Sequence, residues 1–465
     1  MNHLTDTAAE SVVDLDLIRK YNVNGPRYTS YPTALQFDDL NESAYKASIQ
    51  ASDRKDKDLS LYFHIPFCNT ICYYCACSKI VTRDKSKATR YLAYLKREIA
   101  LQAPLFAGRK VTQLHWGGGT PTFISDDEIA DLMSHIRHHF SLADDTEGEF
   151  SIEIDPRTVD AERIGLLRRV GFNRLSFGVQ DFNPLVQKAV NRLQSYESTC
   201  EVIEAARANG FRSVSVDLIY GLPYQDLSSI SETLDKVIAI SPDRISIYNY
   251  AHLPERFKSQ RRIDVLDIPS ADLKLNLLKL CTDKLVDAGY CFIGMDHFAK
   301  PEDELAIAQR EGTLHRNFQG YSTFAECDMA AMGVTAISQV GRTYAQNVKT
   351  LEEYEAAIDA GQIPVQKGVE IDADDLIRKA VIMDLICQFR LRFNDIESAF
   401  GIDFGQYFSA ELLQLETMAA DGLLTLTDDE IEVSRRGRML IRNICMVFDR
   451  YMRAMQETQR FSKAI

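Results

Sequence analysis

Four cysteines that crowd into ten positions are the residues best able to do chemistry in this chain. They stand in the segment HIPFCNTICYYCAC, where Cys68, Cys72 and Cys75 follow a CxxxCxxC spacing and Cys77 comes two positions later. Three thiolates from one short loop can hold three corners of a [4Fe-4S] cube, whose fourth iron then takes an outside ligand. A closed zinc site needs four ligands, which Cys77 would complete, so zinc remains an alternative.

A run of three glycines is the second candidate for chemistry. It lies in HWGGGTPT, residues 115–122. Consecutive glycines let a backbone approach a ligand closely and present its N–H groups. The run matches neither a Walker A loop nor a dinucleotide-binding fingerprint. Because it directly follows a predicted strand, we expect it beside the cysteine loop, and the two motifs together predict one cofactor site.

Six short β-rich runs must position these motifs, at 59–64, 111–116, 150–154, 174–179, 213–219 and 244–248. Helical segments separate them, as the three- and four-residue steps of Tyr91, Leu92, Leu95 and Ile99 indicate. Six strand–helix units predict an α/β fold with a parallel sheet and right-handed crossovers. The pattern leaves open whether the sheet is doubly wound or an incomplete barrel. In both architectures the active site lies at the carboxyl ends of the strands.

The flanking regions have a different character, and the chain divides into four predicted parts. These are an N-terminal extension over residues 1–55 that covers the active site, a core over 56–290, a bridging region over 291–369 and a mostly helical C-terminal domain over 370–465. The extension contains GPRYTSYPT, whose glycine and prolines favour extended or turning backbone. In the C-terminal part, the apolar runs 423–426 and 431–433 predict a small hairpin.

Composition and charge exclude several classes of protein. The chain has 465 residues, of which 45% are hydrophobic, and its formal net charge is -14. This apolar content excludes wholesale disorder, and the acidic balance argues against a nucleic-acid partner. With no apolar run of the ~20 residues that span a bilayer, and no signal peptide in MNHLTDTAAESVVDLDL, we expect a cytoplasmic protein without a membrane partner. The absence of a large apolar surface stripe predicts a monomer.

Taken together, the motifs resemble those of a known family. CxxxCxxC after a first strand and GGGTP after a second are similar to the radical S-adenosylmethionine (SAM) enzymes. Further segments between residues 20 and 449 resemble the oxygen-independent coproporphyrinogen III oxidase (dehydrogenase) family of haem biosynthesis. These segments are KYNVNGPRYTSYPTA, SLYFHIPFC, QLHWGGGTPT, NRLSFGVQDF, DLIYGLP, NYAHLP, GMDHFA, LHRNFQGY and RNICMVFD.

The resemblance implies a radical-SAM partial (β/α)6 barrel that holds one [4Fe-4S] cluster and two SAM molecules. It assigns the cluster to Cys68, Cys72 and Cys75, and leaves Cys77 without iron. The positions matching those around the first SAM are Tyr62, Gly118, Glu153 and Ile337. The positions matching those around the second SAM are Tyr74, Gly119, Thr120, Gln180, Arg192, Asp217 and Ala251.

The reaction implied by the resemblance is oxidative decarboxylation of two propionates of coproporphyrinogen III to vinyl groups. Such an anionic tetrapyrrole requires local cations in an acidic protein, and Arg27 and Arg316 are candidates, with His297 nearby. The sequence identifies neither the electron donor nor the electron acceptor. One alternative is a haem-binding chaperone of the same subgroup, but those relatives begin close to the cysteine motif and carry HNxxYW. The N-terminal extension and HRNFQGY favour the oxidase. A zinc-stabilised scaffold for protein interactions is the third interpretation.

Overall fold

The N-terminal part of the chain is a short, mostly irregular segment. The computed structural model describes residues 13–21, 23–52, 56–324 and 327–454, so parts of the predicted extension, residues 1–12, 22 and 53–55, lie outside the described residues. Its elements are α1 (Leu15–Lys20), β1 (Asp38–Asp39) and α2 (Glu42–Ala51).

Six parallel strands and the helices between them form the centre of the molecule. Strands such as the first of the six are buried on both faces, because helices cover the outside and side chains fill the inside. The elements are β2 (Leu59–Ile65), β3 (Phe67–Cys68), β4 (Ile80–Val81), α3 (Lys85–Gln102), β5 (Lys110–Gly118), α4 (Asp126–His139), β6 (Ser141–Leu142), β7 (Glu149–Ile154), α5 (Ala161–Val170), β8 (Arg174–Gln180), α6 (Pro184–Ala189), α7 (Tyr196–Ala208), β9 (Ser213–Tyr220), α8 (Leu227–Ile240), β10 (Arg244–Asn249) and α9 (Ala271–Asp287).

The order of the strands decides between the two predicted architectures. Neighbours run β2-β5-β7-β8-β9-β10, in chain order and all parallel. In a doubly wound sheet, the strand order reverses at the first strand, so that later strands are added on its other side. A sheet in which each new strand is added on the same side as the one before curls into a barrel. On its other sides, β2 pairs with a later parallel strand and β10 with an antiparallel one. The partial (β/α)6 barrel is therefore confirmed.

The segment after the sixth unit widens this same sheet. Six of its strands join the barrel sheet at one side or the other, and two form a separate hairpin. The four-part division of the chain remains a prediction. The elements are β11 (Cys291–Gly294), β12 (His297–Ala299), α10 (Glu304–Glu311), β13 (His315–Asn317), β14 (Gly320–Ser322), β15 (Asp328–Met332), β16 (Ile337–Val340), β17 (Thr343–Asn347), α11 (Leu351–Asp359) and β18 (Val365–Glu370).

The C-terminal region is mostly helical, as predicted. The expected hairpin is present, and a third strand of three residues extends it in the order β19-β21-β20. That third strand was not predicted, because three residues are too few to show an alternating pattern. The elements are α12 (Ala373–Gln388), β19 (Arg390–Arg392), α13 (Phe393–Phe400), α14 (Phe404–Tyr407), α15 (Ser409–Ala420), β20 (Leu424–Leu426), β21 (Glu430–Val433), α16 (Ile441–Val447) and α17 (Arg450–Ala454).

None of the helices in the described part of the chain has the length and apolar character required to cross a bilayer.

Candidate active site

A cavity of about 560 Å³ opens at the carboxyl ends of the barrel strands. It collects side chains from the cysteine loop and from the ends of β5, β7, β8, β9 and β10, which is where the fold predicts an active site. Eleven of the predicted site residues line it: Cys68, Cys72, Tyr74, Cys75, Gly118, Gly119, Thr120, Glu153, Gln180, Arg192 and Asp217.

The cysteine loop is held at its two ends by a small parallel pairing of β3 with β4. The Ile80 amide donates to the Pro66 carbonyl at 2.7 Å, and the Thr82 amide donates to the Cys68 carbonyl at 3.0 Å. The Sγ of Cys68 lies 3.4 Å from the Thr120 hydroxyl. The loop is therefore closed into a rigid ring of backbone that presents its thiols to the cavity.

The environment of the loop favours the thiolate, the form in which cysteine binds iron, at Cys75. A hydrogen bond from Cys77, assisted by the Lys79 ammonium, lowers the pKa of Cys75 to about 6. Burial raises the pKa of Cys68 to about 11, although the Thr120 hydroxyl and Lys79 oppose the rise. Cys77 thus acts toward Cys75 as a hydrogen-bonding neighbour, and its exclusion from the cluster remains a prediction.

The donor set fits an iron–sulfur cube held by three thiolates. Among the described residues, no three His, Cys, Asp or Glu side chains converge as the ligands of a single ion would. A cube places each thiolate on a different iron atom, so its ligands surround a volume rather than a point. Three cysteines of one loop on the wall of one cavity meet that requirement.

The glycine run packs against the cysteine loop itself. A Cβ on Gly119 would lie 2.5 Å from the Pro66 carbonyl oxygen, and one on Gly118 would lie 2.8 Å from the His64 ring. Gly118 also has a φ of +118°, which side-chain-bearing residues rarely adopt. The glycines were predicted to admit a ligand, and the structure adds a second reason: they let the backbone after β5 touch the loop.

Glu153 lies at the end of β7 with its carboxylate open to the cavity. It accepts a hydrogen bond from the Gly118 amide at 3.1 Å, and its other oxygen lies 3.4 Å from the His115 ring. Burial opposes its ionisation, but these two contacts outweigh burial, so the pKa of Glu153 is lowered. Tyr62 stacks on His115 with ring centroids 5.8 Å apart and supports this arrangement from behind the cavity wall.

Arg192 connects the cysteine loop to the opposite wall. Its guanidinium lies 3.4 Å from the Cys72 Sγ and 3.1 Å from the Asp155 carboxylate. Arg157 pairs with the same carboxylate and lies 3.7 Å from that sulfur. Two guanidinium groups therefore face the Cys72 sulfur.

Gln180 and Asp217 complete the wall beyond Arg192. Gln180 ends β8 with a φ of +69°, beside a register shift at Gly178, and such strain concentrates at functional sites. Asp217 on β9 accepts from the Ser176 hydroxyl at 3.1 Å. Burial and the Glu153 charge raise the pKa of Asp217 to about 6.

Three residues predicted for SAM stand apart from the cavity lining: Tyr62, which stacks on His115, Ala251 and Ile337. The Ala251 carbonyl and the Tyr74 carbonyl both accept from the Gln260 amide, at 3.1 Å and 3.0 Å, so Ala251 is tied to the cysteine loop. Ile337 begins β16 and packs in a small apolar cluster with Phe37 and Tyr344. The structure does not bring Ile337 to the cavity wall, and its role remains a prediction.

The three substrate candidates meet behind Tyr248, which lines the cavity. The Arg27 guanidinium lies 5.6 Å from the centre of that ring and pairs with Asp296. The His297 ring packs edge-on against the same tyrosine at 6.1 Å. Arg316 is 3% exposed and lies over the Tyr321 ring at 4.6 Å.

A third guanidinium joins this group from the C-terminal region. Arg442 is buried and donates to the carbonyls of Gly25 and Pro26, which fixes the backbone directly before Arg27. Burial and the Arg27 charge lower the pKa of Arg442. We call Arg27, Arg316 and Arg442 the arginine group.

Arg316 of this group and the neighbouring His297 have buried nitrogen atoms that lack partners among the described residues. Within the described ranges, neither Nε nor Nη1 of Arg316 finds a hydrogen-bond partner, nor does Nδ1 of His297. Burial and the charges of Arg316 and Arg27 hold the pKa of His297 well below its usual value. Buried polar groups without partners are rare, and buried cations that face one another are kept charged only at a cost in free energy. This group therefore has the character of a binding site for carboxylates.

Sequence reasoning missed four residues of the site: Asp155, Arg157, Tyr248 and Arg442. Asp155 and Arg157 follow Glu153 in SIEIDPRT, directly after a barrel strand, and that position was a usable signal. Arg442 begins the segment RNICMVFD, which carried the resemblance without a chemical role for its arginine. Only the fold places it beside Arg27.

Comparison with protein families supports the same architecture. Residues 62–237 match the family model of the radical SAM superfamily, and residues 371–440 match the HemN C-terminal domain. The first match covers the cysteine loop and five of the six barrel strands, and the second covers most of the helical C-terminal region.

Individual relatives extend over nearly the whole chain. The oxygen-independent coproporphyrinogen III oxidases of Pseudomonas aeruginosa and Escherichia coli are 51% and 50% identical to it, each over 97% of this chain and 98% of the relative. The solved structure of coproporphyrinogen III oxidase (HemN) from Escherichia coli, described as a radical SAM enzyme, superposes with a TM-score of 0.91 at 48% identity, covering 95% of this chain and 100% of that one. The chain therefore belongs to the oxygen-independent coproporphyrinogen III oxidase family of radical SAM enzymes.

Proposed function

We propose that this oxidoreductase converts coproporphyrinogen III to protoporphyrinogen IX without oxygen, by oxidative decarboxylation of two propionates to vinyl groups with release of two CO₂. One observation carries the proposal: three thiols of one loop line a cavity whose wall includes Tyr248, and the arginine group lies around that tyrosine. Thiols at this spacing serve an iron–sulfur cofactor. Buried guanidinium groups serve a ligand with several carboxylates.

The [4Fe-4S] cluster and SAM, when bound, supply a radical that can take hydrogen from an unactivated carbon, chemistry that no side chain offers. Cys68, Cys72 and Cys75 would hold the cluster. The ionised Glu153 carboxylate would accept hydrogen bonds from the ammonium of the first SAM, which charge assistance strengthens. Tyr62 and Gly118 keep that carboxylate in place, and Ile337 belongs to the same proposed set.

A second SAM is a further part of the proposal. The wall beyond the cysteine loop offers groups for each part of such a molecule: the Arg192 guanidinium for its carboxylate and the Asp217 carboxylate for a ribose hydroxyl or an ammonium. Gln180 offers a neutral amide beside them. The remaining proposed contacts are Tyr74, Gly119, Thr120 and Ala251.

The substrate would lie with its propionates toward the arginine group. Arg316, whose Nε and Nη1 lack partners within the described ranges, can form a bidentate pair with a carboxylate, and Arg27 can hold another. His297 stays neutral between them and can donate or accept one hydrogen bond. The N-terminal segment that carries Arg27 would cover this end of the cavity and exclude water from the reaction.

An anaerobic assay tests this function. The reconstituted enzyme is incubated with coproporphyrinogen III, SAM and dithionite, and the products are identified by mass. We expect protoporphyrinogen IX only when SAM and reductant are both present. Unchanged substrate with stoichiometric haem binding would instead support a chaperone, and bound zinc in a colourless protein would support a scaffold.

The assembly state and the compartment complete the proposal. We infer a cytoplasmic monomer whose electron acceptor is a separate molecule. The acidic charge and the mixed polar surface support it, and light scattering of the reconstituted enzyme tests the monomer. A stable dimer at micromolar concentration would overturn that part alone.

A further inference from the structure

Three chain segments around the cysteine loop form one continuous outer surface. They are residues 66–83, 182–196 and 251–266, and we call their exposed side the cysteine-loop surface. A separate apolar cluster beneath it contains residues of all three segments, among them Tyr73, Val190 and Ile263. The three segments therefore pack on one another and present a common face.

Hydrogen bonds to the backbone of the cysteine loop, two of them from side chains, tie this face directly to the loop. The Tyr73 amide donates to the Val190 carbonyl at 2.9 Å, and the Asn191 side chain donates to the Ile71 carbonyl at 2.7 Å. From the third segment, the Gln260 amide donates to the Tyr74 carbonyl at 3.0 Å. Anything that contacts this face is therefore separated from the three thiols by little more than the loop itself.

The cysteine-loop surface is basic although the chain is acidic. Its exposed residues include six Lys or Arg and two Asp or Glu, in a chain whose formal net charge is -14. The cations are Arg83, Lys188, Arg256, Lys258, Arg261 and Arg262. A positive charge excess on the face around one loop selects an acidic partner and accelerates its approach.

Exposed apolar side chains lie between these cations. Leu185 and Leu193 are 66% and 63% exposed, and Val265 and Leu266 are 65% and 87% exposed. Leu193 directly follows Arg192, whose guanidinium contacts the Cys72 sulfur. Apolar contacts inside a charged ring are the anatomy of transient protein–protein interfaces.

We propose that the cysteine-loop surface is the docking site of a small acidic electron-carrier protein. The inference rests on the proposed function, because a cluster in this loop must be reduced before each use. The carrier would give up one electron and leave as its one-electron-oxidised form, while the cluster is reduced by one electron; no bond or proton is exchanged. Electron transfer of this kind needs a contact close to the thiols and a short-lived complex, and the cysteine-loop surface suits both requirements.

Charge reversal on the face tests the proposal. The double variant Lys188→Glu, Lys258→Glu reverses the charge of two exposed side chains on the cysteine-loop surface. The matched control is Arg137→Glu, Arg169→Glu. It changes two exposed side chains at the C-terminal ends of α4 and α5, at the other end of the barrel. A strongly acidic flavodoxin is the probe, and its Kd for the cluster-loaded enzyme is measured by calorimetry at low and moderate salt. We expect the double variant to weaken binding about tenfold or more and to flatten the salt dependence, with the control unchanged.

Dithionite separates this proposal from the proposed function, since it reduces a cluster without docking. We expect the double variant to keep wild-type turnover with dithionite and to lose it with reduced flavodoxin. The docking site would be overturned if flavodoxin did not bind the wild-type enzyme, or if it bound the wild type and the double variant equally well. Absent turnover with dithionite in the wild type would overturn the proposed function.

Discussion

The two ends of the proposed site, the cysteine loop and the arginine group, are built in opposite ways. At one end, three thiols come from eight consecutive positions of a single loop, Cys68 to Cys75. At the other, three guanidinium groups come from the N-terminal segment, the hairpin strand β13 and the helix α16, at Arg27, Arg316 and Arg442. The first site is a local motif, whereas the second exists only when the complete fold is assembled.

This difference has an energetic side. The cysteine loop is satisfied without its cofactor, since backbone pairing closes it and Cys75 accepts a hydrogen bond from Cys77. In the arginine group, Arg316 is not satisfied, since it is buried with nitrogen atoms that lack partners among the described residues. Burying cations costs stability unless a counter-charge arrives. We therefore expect substrate to stabilise the fold most strongly at the arginine end.

The largest effect is expected at the cysteine end. Replacing Cys72 with Ser removes one of three iron ligands, so iron content and turnover should be lost together. Iron analysis and the anaerobic assay measure both. The matched control is Cys77→Ser, which should keep the cluster because Cys77 only hydrogen-bonds its neighbour. Full activity of the Cys72 variant would contradict the assignment.

At the arginine end, Arg316→Met should separate activity from stability. Loss of a buried charged partner for a carboxylate should lower kcat/KM about 100-fold or more. The same change removes a buried charge and should stabilise the substrate-free protein by about 1–3 kcal/mol in urea unfolding. Cluster content should be unchanged. A variant with normal kcat/KM, or one that is less stable, would show that Arg316 is a structural residue.

A smaller loss is expected for Arg442→Met. Its guanidinium already donates to the Gly25 and Pro26 carbonyls, so it acts partly by holding Arg27 in place. We expect kcat/KM to fall about tenfold, mainly through KM, with faster proteolysis near residue 25. The control is Arg436→Met, because Arg436 is an exposed residue of the same region that contacts Asp14 in the N-terminal segment. Equal effects of the two substitutions would argue against a site at Arg442.

The smallest effect is a pH dependence at the cavity wall between the two ends. Asp217 has a pKa of about 6 in the folded protein, above the ordinary aspartate value of 3.8 that it returns to on unfolding. Its ionisation therefore destabilises the fold above pH 6, and stability is regained as pH falls toward 4. Asp217→Asn should stabilise the cofactor-free protein by about 1 kcal/mol at pH 8 in urea unfolding, since the cavity screens part of the shift. The gain should shrink at pH 5; a gain of equal size there would refute the assignment.

The same contrast explains what could be predicted from the sequence. The six barrel strands and the cysteine loop followed from local pattern, because apolar runs and ligand spacing are properties of contiguous residues. The choice of a barrel over a doubly wound sheet came from the resemblance, since strand order is not a local property. A role for Arg442 could not be assigned, because its neighbours in space are remote in the chain. Arg27 lies several hundred positions before it, and Arg316 more than a hundred.

The glycine run shows a subtler limit. Its nearness to the cysteine loop was predicted, but the steric reason was not. Gly119 must lack a side chain because the Pro66 carbonyl lies where its Cβ would be. Such a close approach is visible only once both segments have coordinates.

The central claim is that the cysteine loop and the arginine group act on one substrate molecule, and isotope transfer tests it most directly. Coproporphyrinogen III deuterated at the β-carbons of its propionates is incubated anaerobically with enzyme, SAM and dithionite, and the released 5′-deoxyadenosine is analysed by mass. The account predicts deuterium in the 5′-deoxyadenosine that accompanies each vinyl group formed, and loss of this transfer in Arg316→Met. Unlabelled 5′-deoxyadenosine alongside normal vinyl product would contradict it.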